Sequence, residues 1–306
     1  MSEFKWVKYE TIDDGAIAII SLNRPRQRNA QSRGLLVEVD EAFMKAERDD
    51  TVKVVVLRGE GASFSSGHDL GSKDSLAERE PGEGQHPSFS MNGATKDAIE
   101  RTWRQEWSYY LTNTRRWRDL RKITIASVNG PVIAGGLMLM WCCDLIVASE
   151  DAFFCDPVGA RLSMCGVEYF AHPWEFGARK AKELLLTGDG IDAEEAYRLG
   201  MVSKIFKNDE LADKTIEFAR RIAKRPSATA LMIKESVNQT VDNQGFYNAM
   251  QAAFSLHQMG HGHWQVHTEG ESIVPVPGKG AEEWNESGPM LPAVKNDVYP
   301  RLPDAP

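Results

Sequence analysis

Apolar positions fall in short unbroken runs along the first half of the chain and in spaced faces along the second. Ala16 to Leu22 (AIAIISL) is apolar and β-branched almost throughout and stops at the turn Asn23-Arg24-Pro25, which predicts a strand. Gly34 to Arg48 carries Leu36, Val39, Phe43 and Ala46 on one helical face. Val52 to Leu57 (VKVVVL) has the composition of a strand covered on both faces, and Arg58-Gly59-Glu60-Gly61 ends it. From Gly71 to Gly93 glycine, proline and charge predict a long loop, of the kind that serves as a lid in enzymes. Ala94 to Arg121 then reads as helix, with Trp103, Trp107, Tyr110, Leu111 and Trp117 forming a stripe suited to core or subunit contact.

Ile123 to Val128 predicts another strand, leading into Asn129-Gly130-Pro131, and Gly135 to Cys143 a buried helix. Leu145 to Ala148 and Ala152 to Phe154 read as short strands. Asp192 is placed to cap the helix AEEAYRL, and Gly200 to end it. Glu210 to about His257 accommodates three amphipathic helices, and Gly270 to Pro306 reads as an extended tail that gains structure by docking on a neighbour. Strands alternating with helices, then helices alone, indicate an α/β core with a helical cap.

Charge and composition narrow the function classes. The formal net charge of −8 gives no overall basic field for nucleic acid, though a local arginine cluster would still bind phosphate. The N-terminal MSEFKWVKYE lacks the apolar core of a signal peptide, and the apolar stretch Pro131 to Cys143 is too short to span a bilayer. A cytoplasmic, non-membrane protein is expected, and its four cysteines suit a reducing compartment. No dinucleotide fingerprint or phosphate-binding P-loop is present. The segment Gly260 to His267 holds His261, His263 and His267 without a carboxylate or cysteine at ligand spacing, so it reads as a surface loop after the last helix, and no metal is expected.

Two glycine-bearing turns carry the candidate chemistry. Phe64-Ser65-Ser66-Gly67-His68-Asp69-Leu70 follows one strand, and Val128 to Gly136 follows another and opens a helix. Glycine lets a backbone approach a ligand closely, and the first N–H groups of a helix have no intrahelical acceptor. Such donors stabilise a carbonyl oxygen that gains negative charge.

With these turns, the pieces NRPRQRNA, FSSGHDL, SVNGPVIAGG, CCDLIVASEDAFFCDP, LLLTGDGIDAEEAYRLGMVSKIF and KESVN resemble the crotonase, or enoyl-CoA hydratase/isomerase, family, in the family's order from Ile17 to Asn238. The resemblance implies an α/β spiral of ββα units over residues 1–200 with a loop insertion at about 71–93. A helical trimerisation region over 201–265 and the tail 266–306 follow. It implies a homotrimer or a hexamer built as a dimer of trimers, and an acyl-CoA substrate whose coenzyme A is not a separate cofactor. The backbone N–H groups of His68 and Gly135 would form the oxyanion hole. Asn23 to Asn29 would lie along the adenine and ribose, Ser66, Gly67 and His68 along the pantetheine arm, and Arg24, Arg26 and Arg28 near the phosphates.

The departures from the family pattern bear on the reaction. Family hydratases place one glutamate where this chain has Met138 and a second where it has Val158. Hydration needs a carboxylate pair to activate water and protonate carbon. Ordinary two-glutamate hydration is therefore not expected, and both residues would line the acyl pocket instead. Glu168, where the family begins a helix aimed at the acyl group, is the first substitute acid/base, against the plainer reading of a first-turn dipole partner. The His68 imidazole would point toward the thioester or away, Asp156 toward the site or a turn, and Tyr169 toward the thioester or a subunit contact. For Asp69, His172 and Cys165 a structural role is the better reading. Three functions stand open: an acyl-CoA enzyme with an unusual acid/base, a silent acyl-CoA-binding protein, and a scaffold that recruits proteins through its tail.

Overall fold

The computed structural model describes residues 4–77 and 99–268. The runs that are apolar on both faces become the middle of a six-stranded sheet. Its strands are β1 (Val7–Ile12), β2 (Ile17–Leu22), β3 (Val54–Gly59), β4 (Ile123–Val128), β6 (Leu145–Ser149) and β9 (Lys204–Phe206), side by side in that order. Only the β1–β2 pair is antiparallel, and β2 lies in parallel register with β3 from Ile17 beside Val54 to Leu22 beside Gly59. A smaller sheet joins β5 (Pro131–Ile133), β7 (Phe153–Cys155) and β8 (Gly190–Asp192).

Alternation along the central strands sorts side chains to two cores. Ala18, Ile20, Leu22, Val55 and Leu57 face the helix α1 (Arg33–Arg48), packing with its Leu35, Val39 and Phe43. Ile17, Ile19, Val54, Val56, Ile123 and Ile125 face the other way, onto Leu211 and Ala219. Both faces are thus closed, which explains why these strands read as continuous apolar runs. Ser32 caps α1 by accepting the Leu35 N–H at 3.3 Å.

The remaining helices are α2 (Lys73–Ala77), α3 (Ile99–Glu106), α4 (Asn113–Arg118), α5 (Gly135–Trp141), α6 (Val158–Leu162), α7 (His172–Phe176) and α8 (Ala178–Thr187). After them come α9 (Ala193–Leu199), α10 (Leu211–Ala223), α11 (Ser227–Asn243) and α12 (Phe246–His267). Between α3 and α4, Trp107 to Thr112 winds as a π-helical turn. Asp192 caps α9 through the Glu195 N–H at 2.8 Å, and Gly200 ends it in the left-handed conformation, as expected.

One expectation is overturned. His261, His263 and His267 belong to the last helical turns of α12 and not to a loop after it. Gly260, which opens the segment expected to be a loop, is required by packing: a Cβ there would lie 2.9 Å from the Cα of Met164. Most of the expected lid loop, beyond Ala77, and the expected tail from Gly270 lie outside the described residues. No helix among the described residues is long and apolar enough to cross a membrane.

Candidate active site

The two glycine turns meet backbone to backbone. The Ile133 N–H donates to the Ser65 carbonyl at 3.0 Å, and Ser65 and Val132 form an isolated parallel bridge. Gly67 has φ +90°, and a Cβ there would stand 2.7 Å from the Ile133 carbonyl oxygen and 3.1 Å from the Gly135 nitrogen. A Cβ on Gly136 would reach 2.5 Å from the Ser65 oxygen. Both glycines are thus fixed by close approach, and Gly67 by its conformation as well. Gly135 is the first residue of α5, so its N–H has no intrahelical acceptor. Before it, Ala134 holds φ 47° and ψ −121° as a non-glycine residue, with its N–H on the Cys155 carbonyl at 2.8 Å.

The His68 imidazole lies directly over Gly135, where a Cβ would come within 2.5 Å of Cε1. Its Nε2 is 3.1 Å from each carboxylate oxygen of Glu168, and its ring stacks on Tyr110 with centroids 3.9 Å apart and planes 17° apart. Glu168 is buried, on the irregular segment between α6 and α7. It therefore starts no helix, and the dipole-partner reading does not apply. Tyr110 belongs to the π turn, a distortion that often accompanies functional sites. Burial, with the nearby charges of Glu168 and Glu106, pushes its phenol well above the usual range.

A second set of groups, not foreseen from the sequence, adjoins this pair. His257 of α12 has its Nδ1 2.7 Å from the Gly166 carbonyl oxygen. Its Nε2 lies 3.7 Å from Glu168 Oε1 and 3.4 Å from Glu106 Oε2. Burial disfavours charge on His257, but the two carboxylates and the Gly166 carbonyl outweigh it and raise the imidazole to about 9. His261, one turn on, brings Nε2 to 2.9 Å from Glu106 Oε1. Burial alone would raise the Glu106 carboxyl, yet the neighbouring His261 and His257 hold it well below the ordinary carboxylate range. Gln258 Nε2 donates to Glu106 Oε2 at 2.6 Å. The ligand-type atoms of Glu106, His257 and His261 all lie within 4.8 Å of one another, close enough to hold one metal ion. The i, i+4 spacing of His257 and His261 was the available signal, hidden by the two glycines that follow His257.

The other candidates separate cleanly. Met138 and Val158 are buried apolar residues of α5 and α6. Asp156 serves a turn: it accepts the N–H groups of Val158 at 3.0 Å and Val167 at 2.9 Å and meets His172 Nε2 at 2.8 Å. His172 is packed against Trp141 and Phe176. Tyr169 is buried edge-on to Phe246, within the core of this one chain. The Cys165 thiol, on the Ala253 carbonyl, is pushed up to about 11 by burial first and by nearby Asp156, which is wrong for a nucleophile at neutral pH.

Of the three arginines expected at phosphate, Arg24 does not fit. Its side chain is buried and held by Asp69 at 2.8 Å, by Ser72 Oγ at 3.1 Å and by the Ala30 carbonyl. Asp69 in turn accepts the Ser72 N–H at 2.9 Å, so the pair anchors the loop after the His68 turn. Arg26 and Arg28 are exposed, and the Arg28 carbonyl accepts the Ser66 N–H at 2.9 Å, which ties their turn to the first glycine turn.

Comparison with known proteins gives this geometry its family. The enoyl-CoA hydratase/isomerase family model matches residues 13–273. The chain is 61% identical over 293 residues, 96% of its length and 92% of the relative's, to the Mycobacterium tuberculosis protein named "Putative enoyl-CoA hydratase EchA13". It is 32% identical, over 73% of its length and 75% of the relative's, to 4-chlorobenzoyl coenzyme A dehalogenase-2 of an Arthrobacter species. Among solved structures, a probable enoyl-CoA hydratase from Mycobacterium smegmatis superposes with TM-score 0.75 at 43% identity, over 86% of this chain and 98% of that one. An enoyl-CoA hydratase/isomerase from Xanthobacter autotrophicus gives 0.72 at 30% identity, over 85% and 88%. The α/β crotonase fold is common to them, and this chain belongs to the enoyl-CoA hydratase/isomerase family of enzymes.

Proposed function

We propose that the protein processes an acyl-CoA thioester by stabilising negative charge on the thioester oxygen, and that it transfers protons without the two usual hydratase glutamates. The observation that carries this reading is the buried Glu168 carboxylate bonded to the His68 imidazole directly above Gly135. The N–H groups of His68 and Gly135 serve as the oxyanion donors, acting where charge develops and at no cost in reorganisation. Glu168 and the His68 imidazole serve as the acid/base pair, because a proton moving between substrate and imidazole is balanced by the carboxylate behind it. Met138 and Val158 fill the places of carboxylates with apolar surface, so the site receives an acyl chain there and does not hold water as a two-glutamate hydratase does.

Arg26 and Arg28 are the cations available to the CoA phosphates, with Ser66 and Gly67 along the pantetheine arm. The same reading takes coenzyme A as part of the substrate with no separate organic cofactor, places the enzyme in the cytoplasm and assembles it as a trimer or a dimer of trimers. Exposed Met232, Ile233 and Val237 on α11 and Leu256 and Met259 on α12 support assembly, since such apolar groups are commonly buried between subunits. Met138 and Val158 also favour a second reading, an acyl-CoA-binding protein without turnover.

Binding and polarisation are tested with a conjugated thioester such as cinnamoyl-CoA, whose absorption moves to longer wavelength when its carbonyl is polarised. Binding with a red shift is the expected result. Binding without a shift removes the oxyanion assignment, and absence of binding removes both readings.

A further inference from the structure

The cluster behind Glu168 has the composition and supports of a metal site. Glu106 ends α3, while His257 and His261 stand one turn apart on α12, so two rigid helices bring two imidazoles and one carboxylate together. We propose that Glu106, His257 and His261 bind one divalent transition-metal ion of the zinc class.

Three features carry this beyond mere proximity. The donor set, two imidazole nitrogens and one carboxylate oxygen, suits zinc and its neighbours and not calcium or magnesium. His257 turns its Nδ1 onto the Gly166 carbonyl at 2.7 Å, which fixes the proton there and leaves Nε2 to face the cluster. Metal-bound histidines are oriented in this way by their other ring nitrogen. Gln258 likewise steadies Glu106 from outside, at 2.6 Å. His261 Nε2 is buried and lies 2.9 Å from Glu106 Oε1, so the second imidazole faces the same carboxylate as the first.

The charge around the cluster also favours a cation. Glu168 Oε1 stands 3.7 Å from His257 Nε2, so an ion held by the three residues would neighbour the carboxylate that holds His68. The site is separate from the expected oxyanion donors and needs no acyl-CoA to be examined.

The test is zinc binding to the full chain, freed of metal by a chelator, followed by calorimetry and by metal analysis after dialysis. One zinc per chain is expected, with affinity reduced about 100-fold or more in His261→Ala and Glu106→Gln. His263 and His267, whose rings lie 4.2 Å apart further along α12, are the competing ligands, and His263→Ala and His267→Ala should leave zinc binding unchanged. Cobalt substituted into the wild-type chain gives a readout independent of any variant's folding, through the strong visible absorption of a low-coordinate nitrogen and oxygen site. Failure of the wild type to retain zinc overturns the proposal. So does zinc that is lost with His263 and His267 but kept in His261→Ala, or a cobalt spectrum no stronger than that of the hydrated ion.

Discussion

The His68 imidazole occupies the space that a side chain on Gly135 would need, with Cε1 2.5 Å from the position of a Cβ. The ring cannot yield easily, because Tyr110 stacks on it and Glu168 holds Nε2. Gly135→Ala should therefore keep the helical backbone of α5 but push the imidazole off Glu168. A loss of about 100-fold or more in kcat is expected, the range of a removed general acid or base. His68→Ala combined with Gly135→Ala should recover the stability lost in Gly135→Ala alone, since the clash is gone, without recovering kcat. Thermal unfolding and steady-state kinetics on the wild type and the two variants check both parts.

Arg24 and the exposed Arg26 and Arg28 should respond in opposite ways. Removing one member of a buried ion pair leaves its partner uncompensated, at a cost of about 3–5 kcal/mol. Arg24→Met should lower Tm sharply, because Asp69 stays buried without its guanidinium. Arg26→Ala and Arg28→Ala should leave Tm nearly unchanged and raise KM for acyl-CoA more at low salt than at high salt. Equal effects from all three would remove the structural assignment of Arg24.

Glu175 supplies a pH dependence of stability outside the site. Burial in α7 pushes its carboxyl up to about 7, from an ordinary value of 4.5. The folded state thus binds this proton more tightly than the unfolded state does. The stability it contributes is full below about pH 4.5 and is lost as pH rises through about 7. Glu175→Gln, which cannot ionise, should be more stable relative to wild type at pH 8 than at pH 4, by ~1–3 kcal/mol. Urea unfolding of both proteins at the two pH values measures the difference, and a pH-independent difference contradicts it.

The central sheet was legible because β2, β3 and β4 are covered on both faces, which leaves unbroken apolar runs in the sequence. The edge strand β1 was not recognised, since only Val7 of it is fully buried. The strand β8 has three residues, with one of them buried. At the site, the glycine turns were legible because close backbone approach demands glycine. Glycine misled at Gly260, where the same demand comes from a helix packing on Met164 and not from a turn. Arg24 looked like a surface cation because its partner Asp69 is 45 residues away in sequence, and only folding pairs them. Glu106 was missed for the same reason, as nothing local to α3 indicates two histidines of α12.

The claim on which the functional account rests is that the His68–Glu168 pair moves a proton in place of the missing glutamates. It is tested most directly by single-turnover rates for wild type and Glu168→Gln across a panel of CoA thioesters, with thioester affinity measured alongside. Turnover in the wild type that falls about 100-fold or more in Glu168→Gln, with affinity within a few-fold, is the predicted result. Turnover unchanged by the substitution, or tight thioester binding with no turnover in the wild type, would contradict it.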